Sequence, residues 1–160
     1  MKGRLPQVVV VLLVVVGVAL VTTVGAQAPK GLIGTWKLDA AKSKFSPGPA
    51  PKSMTVVYSA AGDSMKIVAD VVPADGPAQH WEMTAAYDGK EYPVTGNPNA
   101  DVIVIKKIDD THGESTFKKG GKVTSVNSRT LSAVGKTLTI VSKGTTVDGK
   151  PRMDTQVFSK

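Results

Sequence analysis

From Met54 to the C-terminus, runs of β-branched and aromatic residues alternating with polar ones are interrupted at short intervals by Gly, Asp and Asn. The interruptions fall at Ala61-Gly62-Asp63, Asp75-Gly76, Asp88-Gly89, Gly96-Asn97-Pro98-Asn99, Asp109-Asp110, Gly120-Gly121, Val134-Gly135 and Asp148-Gly149. Glycine and asparagine accept the positive φ of tight hairpin turns, and a period of two sends successive side chains to opposite faces of a strand. The pattern predicts an all-β chain with ten strands: Ile33 to Leu38, Met54 to Ala60, Met65 to Val72, Gln79 to Tyr87, Glu91 to Val94, Val102 to Ile108, Glu114 to Lys119, Lys122 to Leu131, Lys136 to Lys143 and Arg152 to Ser159.

Short links favour pairing in sequence order. A long meander buries its inner face and removes its edges by closing on itself, which predicts a ten-stranded antiparallel up-and-down β-barrel. A two-sheet β-sandwich is the alternative. The stretch Asp39 to Ser53 departs from the rhythm, because the prolines of Ser46-Pro47-Gly48-Pro49-Ala50-Pro51 forbid a continuing helix or a central strand. At most one helical turn fits within Ala40-Ala41-Lys42-Ser43-Lys44, followed by an extended loop over the surface or across a barrel mouth.

The N-terminus sets the expected compartment. Lys2 and Arg4 precede an uncharged run from Val8 to Val24 that ends in Val24-Gly25-Ala26, the layout of a secretory signal cut after Ala26. The rival reading is a retained N-terminal membrane anchor, since the run nearly reaches the roughly 20 residues of a spanning helix. Cleavage leaves residues 27–160 as one domain, a secreted or periplasmic protein off the membrane. With no cysteine it has neither disulfides nor a thiolate nucleophile, and burial and hydrogen bonding must stabilise it. The formal charge of +7 falls to +5 when Lys2 and Arg4 leave, and the remaining lysines are scattered over turns and strand ends. That distribution suits a solvated surface and not a nucleic-acid patch.

Alternation assigns faces. Trp36 shares one with Leu38; Tyr58 shares one with Met54 and Val56; Trp81, Met83, Ala85 and Tyr87 oppose His80, Glu82 and Thr84. The apolar sets point inward. A buried indole needs a partner for its N–H, so Trp36 is expected to plug one end of the barrel, with Arg152 packed over it. Trp81 and Tyr87 are candidates for lining a cavity, with Tyr58 and Met83 beside them; plain core is the competing role. Neither face of the strand holding Arg129 is strongly apolar, and a solvated, outward arginine is the simplest expectation.

Catalytic patterns are sparse. The histidines are His80 and His112, no Gly-x-Ser-x-Gly elbow occurs, and Glu82 and Asp70 are single acids on polar faces. Asp109-Asp110-Thr111-His112-Gly113-Glu114 lacks the spacing of a calcium loop and reads as a polar turn. Neither a metal nor another cofactor is expected, and the chain reads as a non-enzyme.

The stretch Gly34-Thr35-Trp36-Lys37-Leu38 resembles the opening strand of the fatty-acid-binding proteins and the Gly-x-Trp opening of lipocalins, both ligand-binding barrels of the calycin group. The ending Thr155-Gln156-Val157-Phe158-Ser159-Lys160 resembles the closing strand of the fatty-acid-binding branch, which reads Thr-Arg-x-Tyr-Glu-Lys. The resemblance implies a lipocalin-like barrel with Gln156 and Phe158 facing a ligand. Gln156 replaces the arginine that receives a carboxylate, and Phe158 replaces the assisting tyrosine. The two-helix lid of that branch is also missing. A neutral, mostly apolar ligand is therefore expected, unless Arg129 or Arg152 turns inward to restore the charge. The expected function is an exported monomer that binds a small lipophilic molecule inside its barrel. A filled barrel acting as a structural or interaction module is the alternative.

Overall fold

The structure is a computed structural model describing residues 27–146 and 148–160. The signal sequence expected over residues 1–26 lies outside the described residues. Ten antiparallel strands form one closed barrel: β1 (Gly34–Leu38), β2 (Ser53–Ala61), β3 (Ser64–Val72), β4 (Gln79–Ala85), β5 (Asp88–Thr95), β6 (Val102–Lys107), β7 (His112–Lys119), β8 (Lys122–Leu131), β9 (Thr137–Thr145) and β10 (Pro151–Ser159). Each strand pairs with its sequence neighbours, and β1 returns to β10 through Lys37↔Ser159 and Leu38↔Phe158. The barrel is the architecture expected from the turn spacing, and the sandwich alternative is set aside.

The two ends differ. At the base, Leu32, Trp36, Met65, Ala85, Leu131, Leu138 and Phe158 are buried and pack as one cluster. The chain enters through a 3₁₀ turn at Lys30–Leu32, whose Leu32 carbonyl accepts a hydrogen bond from Trp36 Nε1 at 2.7 Å. Trp36 is completely buried. The cation over its ring is Lys160, however, with Nζ 4.7 Å from the ring centroid and bonds to the carbonyls of Gly31 and Ile33 at 2.9 and 3.0 Å. Arg152 stands at the other end of β10 and cannot reach the indole. Register is the reason: Leu38 pairs with Phe158, so Trp36, two residues before Leu38, lies level with residue 160.

At the opposite end the wall between β2 and β10 is completed by the chain after β1. Asp39 accepts at its side chain from the Lys42 N–H and caps a 3₁₀ turn at Ala40–Lys42, the single turn the prolines allow. Lys44 then bridges Thr155, and the Met153 N–H donates to the Ser46 carbonyl at 2.8 Å. The segment is thus stitched along β10 before the Pro-rich loop crosses the mouth.

Two local departures from strict alternation shape the interior. Between β7 and β8 the register slips at Phe117/Lys118, a bulge that lets Thr124 and Ser125 both turn toward the interior and throws Val123 out to 55% exposure. Gly144 lies opposite, where a Cβ would come 2.1 Å from the Thr124 carbonyl oxygen, so the bulge requires a glycine there. The second departure lies at β4–β5, where only Glu82↔Thr95 and Met83↔Val94 pair. The Asp88-Gly89 turn expected from sequence lies inside β5, β4 stops at Ala85, and the chain reverses at Ala86-Tyr87. Tyr87 leaves the strand and turns into the core at 3% exposure.

Candidate functional site

A cavity of about 150 Å³, measured as space open to the centres of water molecules, runs along the barrel axis above the base. Its walls differ in character. Strands β2 to β6 present Met54, Val56, Ile67, Met83, Ile103 and Ile105, whereas β7 to β9 present Ser115, Ser125, Asn127, Arg129 and Ser142 beside the apolar Phe117 and Ile140. Trp81 and Phe117 meet edge to face across the interior, with centroids 6.0 Å apart and an interplanar angle of 86°. Toward the mouth the cavity reaches Asn97, Asn99, Arg152 and Gln156. These residues are shared with an outer cleft that is covered by Phe45, Pro49 and Pro51 of the Pro-rich loop and by Pro73.

Arg129 corrects the expectation of a solvated arginine. β8 shows its polar face to the interior and leaves Val126 outside at 42% exposure, an inverted strand that hydrophobic alternation cannot orient. Across β7, Gly113 pairs with Arg129, and a Cβ at Gly113 would lie 2.4 Å from Arg129 Nη2; the missing side chain makes the space for the guanidinium. Arg129 Nη1 donates to the Tyr87 hydroxyl at 2.9 Å, and its Cζ lies 5.4 Å from the Tyr87 ring centroid. The remaining nitrogens, Nε and Nη2, are buried without a protein partner, and so is Oδ1 of Asn127. Asn127 Nδ2 reaches Ser115 Oγ at 3.4 Å. Nearby Tyr58 is fully enclosed, and burial pushes its phenol up to about 12 even though the Arg129 charge pulls the other way.

The candidate residues therefore fall in four places. Tyr58, Trp81, Met83, Arg129 and Gln156 all line the cavity. Tyr87 stands behind it as the support of Arg129, and Phe158 belongs to the base, completely buried. Phe158 does not face the cavity because it lies level with Leu38 and Leu138, below the cavity floor. Arg152 is at the mouth, where its Nε donates to Asp154 at 2.8 Å; Asp154, 4% exposed, also accepts from the Ser46 N–H at 3.2 Å. Sequence reasoning did not single out Asn127, Ser115 or Gly113, whose roles depend on the register of β7 against β8.

Groups with catalytic potential lie elsewhere. Asp70 pairs with His80 at 2.7 Å and Glu82 with Lys66 at 2.8 Å, all on the outer face of β3 and β4. Asp109 accepts from the Thr111 and His112 backbone N–H groups and the Thr111 hydroxyl, which together hold its carboxyl well below the usual carboxylate range and cap the β6–β7 turn. No protein family, curated protein or solved structure matches the chain.

Proposed function

We propose that this protein is an exported carrier that takes a small, mostly apolar molecule into the barrel interior. The observation that supports it most is the amphipathic cavity itself: an aliphatic and aromatic wall facing a polar one, with Trp81 between them and an opening beneath the Pro-rich loop. Binding sites for small organic molecules combine mainly apolar walls with a few placed polar groups, and this interior has that composition. A barrel serving only as an interaction module would gain stability by filling such a space with larger side chains, because unfilled apolar volume costs free energy. The calycin-like opening strand agrees with the carrier reading, and the apolar run ahead of residue 27 supports export.

The test is direct. A neutral fluorescent naphthylamine should brighten on addition of the protein, saturate at one equivalent and quench Trp81. Native mass spectrometry should show the one-to-one complex. Neither brightening nor complex, over a panel of neutral lipophilic probes, would remove the carrier reading and favour the interaction module.

A further inference from the structure

The two ends of a molecule held in this barrel would meet different chemistry. Arg129 holds Tyr87 through Nη1, and its Nε and Nη2 are closed off from the cavity, so neither of those nitrogens can meet a ligand atom. Polar recognition falls to the mouth, where the interior passes into the outer cleft of about 240 Å³ beneath the Pro-rich loop. Met54, Trp81, Asn97, Asn99, Arg152 and Gln156 border both spaces. A single elongated molecule can occupy the two at once.

Gln156 is the informative residue. It is only 8% exposed, yet among the described residues no group donates to or accepts from its carboxamide. A carboxamide withdrawn from water without a partner is costly, and the atoms of this one, unlike the two nitrogens of Arg129, are open to the shared space. Gln79, Asn97 and Asn99 bring three more carboxamides to the same cleft. Asn97 Oδ1 accepts from the Asn99 N–H at 2.8 Å, which leaves Nδ2 as its donor.

Charge decides which head group fits. Arg152 and Asp154 are the charged residues lining the cleft, and they neutralise each other: Arg152 Nε donates to the carboxylate at 2.8 Å, and the Ser46 N–H donates to it at 3.2 Å. An anionic head that drew Arg152 away would strand the buried Asp154, and a cationic head would have to displace the guanidinium from it. A carboxamide both donates and accepts, whereas a carboxylate only accepts and an ammonium only donates. A hydroxyl does both. Several hydroxyls on one small frame therefore satisfy the amides without disturbing the ion pair, and Trp81 and Phe45 supply apolar faces beside them.

Resting on the carrier reading, we infer that the ligand is an amphiphile with an uncharged, hydroxyl-rich head, a sugar or glycerol unit, seated in the outer cleft on Gln79, Asn97, Asn99 and Gln156. Its hydrocarbon tail enters the interior and lies against Met83, Ile103 and Ile105.

Octyl glucoside, 1-O-octylglycerol, 1-octanol, octyl sulfate and octylammonium share one tail, and competing each as a monomer against the neutral naphthylamine on the intact protein provides the test. Octyl glucoside or octylglycerol should bind roughly 10-fold more tightly than octanol, the gain expected from about two neutral hydrogen bonds, and the tighter of the two identifies the head. The sulfate and the ammonium should bind no better than octanol. Gln156→Met and Asn99→Ala, which remove one carboxamide each, should move the ratio of hydroxyl-rich to plain alcohol affinity toward one. A ratio of one in the wild-type protein, a charged amphiphile that binds as tightly as the better of the hydroxyl-rich pair, or a ratio unchanged in both folded variants overturns the head assignment and leaves the carrier reading intact. Failure of the naphthylamine itself to bind overturns the carrier reading. Should Gln156→Met not fold, Asn99→Ala and the wild-type comparison still decide.

Discussion

Replacing Trp36 by Phe tests how the base of the barrel is held shut. The indole is completely buried and its Nε1 donates to the carbonyl of Leu32, also completely buried, at 2.7 Å. Phenylalanine keeps a ring beneath Lys160 but removes that donor, and a buried carbonyl left without its partner costs about 1 to 3 kcal/mol. The smaller ring also leaves roughly 40 Å³ unfilled, which at about 24 cal/mol per Å³ adds about 1 kcal/mol. Together the loss comes to about 2 to 4 kcal/mol, a large part of the roughly 5 to 15 kcal/mol that stabilises a domain. Urea unfolding followed by far-ultraviolet circular dichroism measures it. With an m-value of about 2 kcal/mol per molar for a protein of this size, the midpoint should fall by about 1 to 2 M. A fall below about 0.3 M with an unchanged m-value would refute the reasoning, because the hydrogen bond to Leu32 would then contribute nothing net. Naphthylamine binding should persist in the variant, since Trp36 does not line the cavity.

Other perturbations separate the remaining elements. Asp154→Ala removes the acceptor shared by Arg152 and Ser46; because Arg152 is partly solvated, the loss should be about 1 to 2 kcal/mol, with faster proteolysis within residues 46–52 as the specific sign. Gly144→Ala should destabilise by at least about 2 kcal/mol, since its methyl collides with the Thr124 carbonyl across the β8 bulge; a neutral result would place the bulge elsewhere. Asp109 has a lowered carboxyl pKa, so its contribution is complete above the ordinary carboxylate value near 3.9 and is lost as the pH falls below it toward the depressed folded value. Carbon-detected NMR titration should find Asp109 still ionised below the usual carboxylate range, and an ordinary midpoint would contradict the turn geometry.

Much of the fold was legible because turn chemistry and period two agree along most of the chain. The strands bounded by Gly62, Gly120-Gly121 and Gly149 begin and end within a few residues of their expected limits. The inward face of Trp36 was legible too, from alternation along its strand, but the cation over its ring was not. That assignment depends on how β10 is staggered against β1, a relation between residues more than a hundred positions apart. Arg129 is the clearest case of information absent from local pattern. Ser125, Asn127 and Arg129 look like an outer face, and only the bulge opposite Phe117 and the missing side chain at Gly113 turn them inward. Asp88-Gly89 misled for a different reason: the chain reverses two residues earlier, at Ala86-Tyr87, where Tyr87 occupies a buried place beside Arg129.

Both ends of the described chain lie beside the plugged base: Ala28 packs on the core there, and Lys160 holds the carbonyls of Gly31 and Ile33. Whatever is joined ahead of residue 27 or after residue 160 therefore departs from the pole opposite the opening. Immobilised by either terminus, on a resin, a sensor chip or a bilayer, each molecule would stand upright with its aperture turned toward the bulk fluid, and solutes would reach it without passing the attachment.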